Sequence, residues 1–294
     1  MRVLTVDIPA PPPGEVPVGL LIGRPPETVH QSLEAAVPPA IASLQTIRAA
    51  NAEQIAYFVP GTDAAGARFT FRIRLRPGAV AAAHFAVMDN QYTRPSAELR
   101  AAVRERIAGG AGPQDALARL VDFTASLFDY DHPKQKFYEG KDEIPLLTQL
   151  TKGSCQDINT FLISSLYAAE IPATYYSGYF FEAGKPQVSA WFHCWIATLI
   201  EGQQQDWDIA HHMKHGIARI EAGLNPVAGE RLALSYGRGL RFPLPGGDVV
   251  IPQLGQPVWV YASGESAPAG AMASLSEEGE PTNAVGARVR ETSQ

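Results

Sequence analysis

Two cysteines occur in 294 residues, and Cys155 stands in the stretch GSCQDINTFLISSLYAAE. Apolar residues recur there at Ile158, Phe161, Leu162, Leu166 and Ala169, in steps of three and four, which predicts a helix with a buried face. Ser154 is placed to cap that helix, and Asp157 follows three residues later, as in a capping box. Cys155 becomes the first helical residue. Unpaired backbone N–H groups and the positive end of the helix dipole lie there, and both favour the thiolate, the reactive form of the side chain. The same N–H groups can hold an oxyanion. The bland alternative is a small buried residue with no chemistry. A base within reach separates the two readings.

The segment VSAWFHCWIATLI alternates like a strand. Ser189, Trp191, His193, Trp195, Ala197 and Leu199 share one face, and Val188, Ala190, Phe192, Cys194 and Ile196 share the other. His193 lies between two tryptophans, a sheltered imidazole suited to act as general base for a thiol. Cys194 points the other way. It is expected to be a core residue, and a Cys155–Cys194 disulfide is not expected if His193 faces Cys155. A neutral histidine base needs a third group to fix its tautomer and orientation. The polar EGQQQ reads as a turn and DWDIA as the returning strand, so Asp206 and Asp208 are both candidates. Simple hairpin pairing leaves Asp208 offset from His193 along the strands, so contact requires a bulge or a sheared register. A second constellation, HHMKHG, supplies His211, His212 and His215. The i, i+4 pair His211/His215 could join Cys155 and His193 around zinc, but the Glu of a helical zinc hydrolase and any CxxC are missing from the pattern.

These residues need elements to position them. Residues 1–95 read as a β-rich N-terminal domain. RVLTVDI and VPVGLLIG are short apolar runs, and GARFTFRIRLRPG alternates Phe69, Phe71, Ile73 and Leu75 against Thr70, Arg72, Arg74 and Arg76. TVHQSLEAAVPPAIASLQTIRAA has helix-like spacing broken by Pro38-Pro39. Residues 96–262 read as the domain that carries the chemistry. Ser96 caps one helix and Pro113 opens a second after GGAG, with an apolar stripe of Ala116, Leu117, Leu120, Val121, Phe123 and Leu127. The Cys155 helix, the strands TYYSGYFF and VSAWFHCWIATLI, and a closing strand-rich segment follow. Residues 263–294 carry no Phe, Tyr, Trp or Ile and are expected to be a disordered tail.

Hydrophobic residues make up 46% of the chain and charged residues 18%, a globular composition. The net charge of −6 and the lack of a Lys/Arg block argue against nucleic acid as a partner. No apolar run approaches a membrane span. The opening MRVLTVDIPAPPPGE does not have the pattern of a signal peptide, and two cysteines make no disulfide framework. The expectation is a cytoplasmic protein with both thiols free.

The ordered series of these motifs resembles the transglutaminase-like superfamily, whose core is papain-like. The match is Gly153-x-Cys155-x-Asp157, then Ile171-Pro172-Ala173, Ser177-Gly178-Tyr179, His193-x-Trp195, and Trp207-Asp208. Phe128-x-Tyr130 upstream and the late Ser-Tyr-Gly-Arg segment are similar too, and the resemblance spans roughly residues 92–260. It implies an α+β fold: a helix bearing the cysteine packed on an antiparallel sheet bearing His and Asp, preceded by a smaller β-rich domain as in bacterial members. It implies Cys155 as nucleophile, His193 as general base and acid, and Asp208 as orienting residue, with Asp206 as rival. The activity implied is acyl transfer or hydrolysis on a peptide or glutamine-type carboxamide through a Cys155 thioester, with no metal or nucleotide cofactor. A second oxyanion donor could be Tyr130, Trp191 or Trp195. The sequence departs from the family pattern where Asp208-Ile209-Ala210 replaces Asp-Pro-Thr and Gly237-Arg238-Gly239 replaces Gly-Arg-Asp. Those departures keep open the alternative of a non-catalytic binding module on the same scaffold.

Overall fold

The structure, a computed structural model, describes residues 1–76, 78 and 81–279. The N-terminal part contributes β1 (Arg2–Asp7), β2 (Gly19–Gly23), β3 (Ser32–Val37), β4 (Gln45–Arg48), β5 (Ile55–Pro60) and β6 (Arg68–Arg74). Then come α1 (Ala97–Ile107), α2 (Pro113–Leu127), β7 (Phe128–Tyr130), β8 (Thr151–Gly153) and α3 (Cys155–Ala168). The central sheet is made from β9 (Ala173–Glu182), β11 (His193–Ile200), β12 (Gln203–Trp207) and β13 (Gly229–Tyr236), with the short β10 (Val188–Ser189) before β11 and α4 (Ile209–Lys214) after β12. The chain ends in β14 (Leu240–Leu244), β15 (Gly247–Ile251), β16 (Val258–Val260), β17 (Ser266–Pro268) and β18 (Met272–Glu277). This is a mixed α/β fold of few helices and many antiparallel sheets with a β-rich N-terminal region.

The central sheet has the order β12-β11-β9-β13, antiparallel throughout. α3 lies on one face of it. Eleven of its residues are buried, because it is covered on one side by the sheet and on the other by α1 and α2. Ser96 caps α1 by accepting from Leu99 N at 3.2 Å, and Pro113 stands in the first turn of α2, where its missing N–H is no loss. The stripe Leu117, Leu120, Val121 and Phe123 turns inward onto Phe161 and its neighbours on α3.

Two five-stranded sheets, β10-β18-β1-β6-β3 and β17-β16-β2-β5-β4, pack face to face around Leu4, Leu20, Val59, Phe69, Phe71 and Trp259. The segment around Pro38-Pro39, read from its spacing as helix-like, is instead β3 and β4. The prolines end β3 at Val37, and both strands pair as outer members of their sheets. The expected disordered tail is also corrected. Its first part forms β17 and β18, and β18 pairs with β1 over six residues, from Arg2↔Glu277 to Asp7↔Met272. Small alternating residues sufficed for a strand because their neighbours supply the bulk: Ala273 is fully buried and Leu275 nearly so. The N-terminal β unit is therefore completed by the C-terminal segment. Residues 280–294, the rest of that expected tail, lie outside the described residues.

The β unit is joined to the central sheet along the free edge of β13. Gln31 accepts from Ala233 N (2.9 Å) and donates to Ala233 O (3.0 Å), and Gln54 accepts from Tyr236 N (2.9 Å). Two side-chain amides thus take edge groups that would otherwise be open to another strand. Among the described residues no helix is long and apolar enough to cross a membrane.

Candidate active site

The start of α3 is fixed by a buried carboxylate. Asp157 Oδ2 accepts from Ser154 N (3.0 Å), from Ser154 Oγ (2.8 Å) and from Lys136 Nζ (3.1 Å). No motif had pointed to Lys136, which reaches in from the loop after β7. Gly153 has a packing reason: a Cβ there would lie 2.6 Å from the Phe128 ring. The close approach lets β7 and β8 pair in parallel with Tyr130 opposite Gly153, two residues before Cys155, and the phenol oxygen lies 3.2 Å from His132 Nε2.

His193 opens β11 and pairs with Gly178. A Cβ on residue 178 would sit 1.9 Å from Leu232 O, so only glycine lets β13 approach so near. The expected shelter between two tryptophans does not form, because Trp191 is 81% exposed at the sheet's rim. The ring is enclosed instead beside His211, whose ring centroid is 5.3 Å away, and by Asp208.

The segment DWDIA is not one returning strand. The turn is tight, at Glu201-Gly202, and the ladder runs from Ile200↔Gln203 to Ile196↔Trp207. Continued, it would set Asp208 opposite Trp195. The chain leaves the ladder after Trp207, and Asp208 caps α4, its Oδ1 accepting from His211 N at 3.0 Å. This departure carries the other oxygen to His193, whose Nε2 donates to Asp208 Oδ2 at 2.7 Å. Asp206 lies elsewhere, its Oδ2 2.7 Å from His30 Nε2 of the β unit. Of the two candidate carboxylates, Asp208 is therefore the one on the histidine. Asp208 Oδ2 also accepts from Arg231.

Cys194 is the core residue expected, but it, rather than His193, is the neighbour of Cys155. Strand register puts Cys194 and Ile196 on the face covered by α3, in one core with Cys155, whereas Trp195 and Ala197 pack against Tyr176 and Ala233. Alternation had separated His193 from Cys194 correctly but had not said which face the helix covers. The Cys155 thiol has Cys194 as its neighbour in this core, and the His193 ring is bonded to Asp208. Both cysteines are free thiols. Asn159 Nδ2 steadies Cys194, donating to its carbonyl at 2.9 Å and its sulfur at 3.5 Å.

The electrostatics follow from these contacts. The Cys194 thiol beside it, then burial, push the Cys155 pKa up. The helix N-terminus alone thus leaves the resting nucleophile protonated. Burial pulls His193 down against the opposing pull of Asp208. Burial also lowers His211, to about 3. At Asp208 burial resists ionisation, but His193 and Arg231 outweigh it and hold the carboxyl well below the usual range. Tyr130 is raised by burial, then by Cys155, so its phenol stays a donor. Replacing Cys194 by alanine is expected to move the pH midpoint of Cys155 alkylation downward, because the largest influence holding the proton on Cys155 is removed. Mass-spectrometric rates of iodoacetamide labelling between pH 5 and 10 check this, and an unmoved midpoint would show that the thiol–thiol contact does not govern reactivity.

Among the described residues, His193, Asp208 and His211 bring potential ligand atoms within 4.8 Å of one another. Arg231 donates into the same Asp208 oxygen, and a second buried cation there is disfavoured by its charge. His215, the other half of the helical pair, packs edge-on against His211 with centroids 4.7 Å apart.

Residues 100–209 match the model of the transglutaminase-like superfamily, a span that holds Cys155, His193 and Asp208. This stretch is a transglutaminase-like core. The crystal structure of a candidate cysteine protease from Cytophaga hutchinsonii is similar in fold, with a TM-score of 0.55 over 94% of this chain and 89% of that one at 11% identity. The periplasmic domain of TgpA from Pseudomonas aeruginosa aligns with a TM-score of 0.42, over 74% of this chain and 93% of that one, at 15% identity. No curated protein matches the sequence. The late Gly-Arg segment, beyond the matched span, has a local explanation: Arg238 is 1% exposed, its guanidinium donating to Tyr138 OH and Gln253 Oε1 at 2.5 Å each and lying over the Tyr175 ring. It is a buried structural cation, not an open substrate contact.

Proposed function

We propose that the protein is a transglutaminase-like cysteine enzyme that opens an amide bond, in a peptide or a glutamine-type carboxamide, through a thioester on Cys155. The observation that carries this reading is the His193 Nε2–Asp208 contact of 2.7 Å. It commits Nε2–H to the carboxylate and leaves Nδ1 as the basic nitrogen of the ring. The thiol proton passes to Nδ1 as sulfur attacks the carbonyl carbon. The carbonyl electron pair moves to oxygen, where the backbone N–H of Cys155 and the Tyr130 hydroxyl donate. Collapse of the tetrahedral adduct breaks the C–N bond, and His193 returns the proton to the leaving amine. Water or an acceptor amine then takes the acyl group. Tyr130 is preferred over the tryptophans as second donor because Trp191 is exposed and the Trp195 ring is buried against Tyr176 and the Arg231 guanidinium.

The experiment is a screen of peptide and carboxamide substrates, with and without a primary amine acceptor. Cys155→Ala is expected to abolish turnover and His193→Ala to lower it by about 10²–10⁴-fold. Turnover in Cys155→Ala near the wild-type rate would falsify the reading. A non-catalytic binding module is the second reading, favoured by the resting contact of Cys155 with Cys194 rather than with His193. Alkylation of Cys155 at an ordinary thiol's rate, unchanged in His193→Ala, would support that module.

A further inference from the structure

Arg231 belongs to no motif of the family pattern, yet its side chain is wholly buried against the candidate site. One nitrogen donates to Asp208 Oδ2, and another lies 3.0 Å from His211 Nδ1. The guanidinium is sandwiched near the rings of Trp195 (5.0 Å) and Phe180 (5.2 Å). A cation removed from water in this way persists only where a partner balances it. Here the partner is the same oxygen that accepts from His193.

The consequence is a matter of charge. A lone buried carboxylate beside an imidazole stabilises the imidazolium and, through it, a resting thiolate–imidazolium pair. At this site the negative charge of Asp208 is already met by Arg231. Among the described residues, the other titratable groups seen to act on His193 are His211, beside it, and Lys214, both from α4. Neither is a carboxylate, and Asp206 on β12 is engaged by His30.

We propose that Arg231 is a positioning residue that locks Asp208 onto His193 and cancels the carboxylate's charge, so that the nucleophile and base rest as neutral thiol and neutral imidazole. The proposal rests on the acyl-transfer reading. Proton transfer from Cys155 to His193 is then coupled to attack on the carbonyl, and the idle thiol is shielded from adventitious alkylation.

The test is the titration of the His193 imidazole, followed by NMR on histidine-labelled protein and assigned through His193→Ala. In Arg231→Met the His193 pKa is expected to rise by about one unit or more, a tenfold gain in proton affinity. Arg231→Lys, which keeps the charge, is expected to return most of that shift. The paired variant Arg231→Met/Asp208→Asn removes both charges together and is expected to titrate near the wild type. It also provides the comparison should Arg231→Met fail to fold. An unmoved His193 in folded Arg231→Met, or a paired variant shifted by a full unit upward, would overturn the proposal. Failure of the acyl-transfer reading shows differently: Cys155 alkylation in the wild type would ignore His193→Ala, while the His193 titration would still report on Arg231.

Discussion

Asp208→Ala is expected to destabilise the folded state by about 3–5 kcal/mol, because it leaves the Arg231 guanidinium buried without its counterion. Asp208 is fully buried, and its two oxygens serve His193, Arg231 and the N–H of His211. The substitution therefore removes the α4 cap, the ion pair and the histidine's orientation at once. Asp208→Asn keeps the shape and the cap but not the charge, so the loss of stability should be smaller. Its effect on acyl transfer should remain large, on the order of 10³–10⁴-fold, because the amide can present N–H to Nε2 and impose the wrong tautomer. Urea unfolding measures the first effect, and turnover on a substrate found in the screen measures the second. Wild-type stability in Asp208→Ala would mean that Arg231 finds another partner.

The same network sets the acid limb. The Asp208 pKa is lowered on folding, so its contribution is fully present above the unfolded carboxylate range, about 4, and is lost as pH falls below it. His193 and His211 are also lowered. The unfolded chain binds those protons first, from about pH 6.5 downward, and stability drops as pH falls from there toward the His211 value of about 3. Wild-type stability should therefore begin to decline well above the carboxylate range.

Truncation after Ala262 is the second large effect. It removes β17 and β18, and with β18 one of the two ladders of β1. Leu4 and Val6 on β1, both fully buried, would lose the neighbours Ala273 and Leu275. Uncovering a buried side chain costs about 1.5–3 kcal/mol, and each ladder hydrogen bond adds about 1 kcal/mol. The sum is comparable with the whole stability of a domain, about 5–15 kcal/mol. The truncated chain is expected to melt at a much lower temperature than the full chain, or to fail to fold. Coincident thermal transitions of the two would show that β18 contributes little.

Much of the site was legible because its signals are local. The helix at Cys155 follows from apolar spacing and the Ser154–Asp157 cap, and the structure holds that cap as a buried carboxylate with Lys136 added. The alternation of β11 correctly separated His193 from Cys194. The order of short motifs pointed to the transglutaminase-like core. Other features were illegible for physical reasons. β3 and β4 lie around prolines in a sequence of small residues, and their strand state comes from pairing with β6 and β5. β18 looks like a polar tail until β1 is beside it.

Helix periodicity and capping residues by themselves determined the start of α3 and the candidate Cys155, strand alternation offered His193, and the resemblance of the ordered motifs to the transglutaminase-like superfamily implied the class of the fold and Asp208, with Asp206 as rival. Only the tertiary structure decided which of two carboxylates reaches the histidine, because the choice depends on the chain leaving its ladder at Trp207. Only the tertiary structure set Cys194 against Cys155, because alternation defines two faces but not which one a helix covers. Arg231 entered the site in the same way: an arginine in GERLALSY carries no local mark, and its meaning comes from a buried carboxylate on another element. Charge balance inside a core is a property of what packs together, and no spacing along the chain records it.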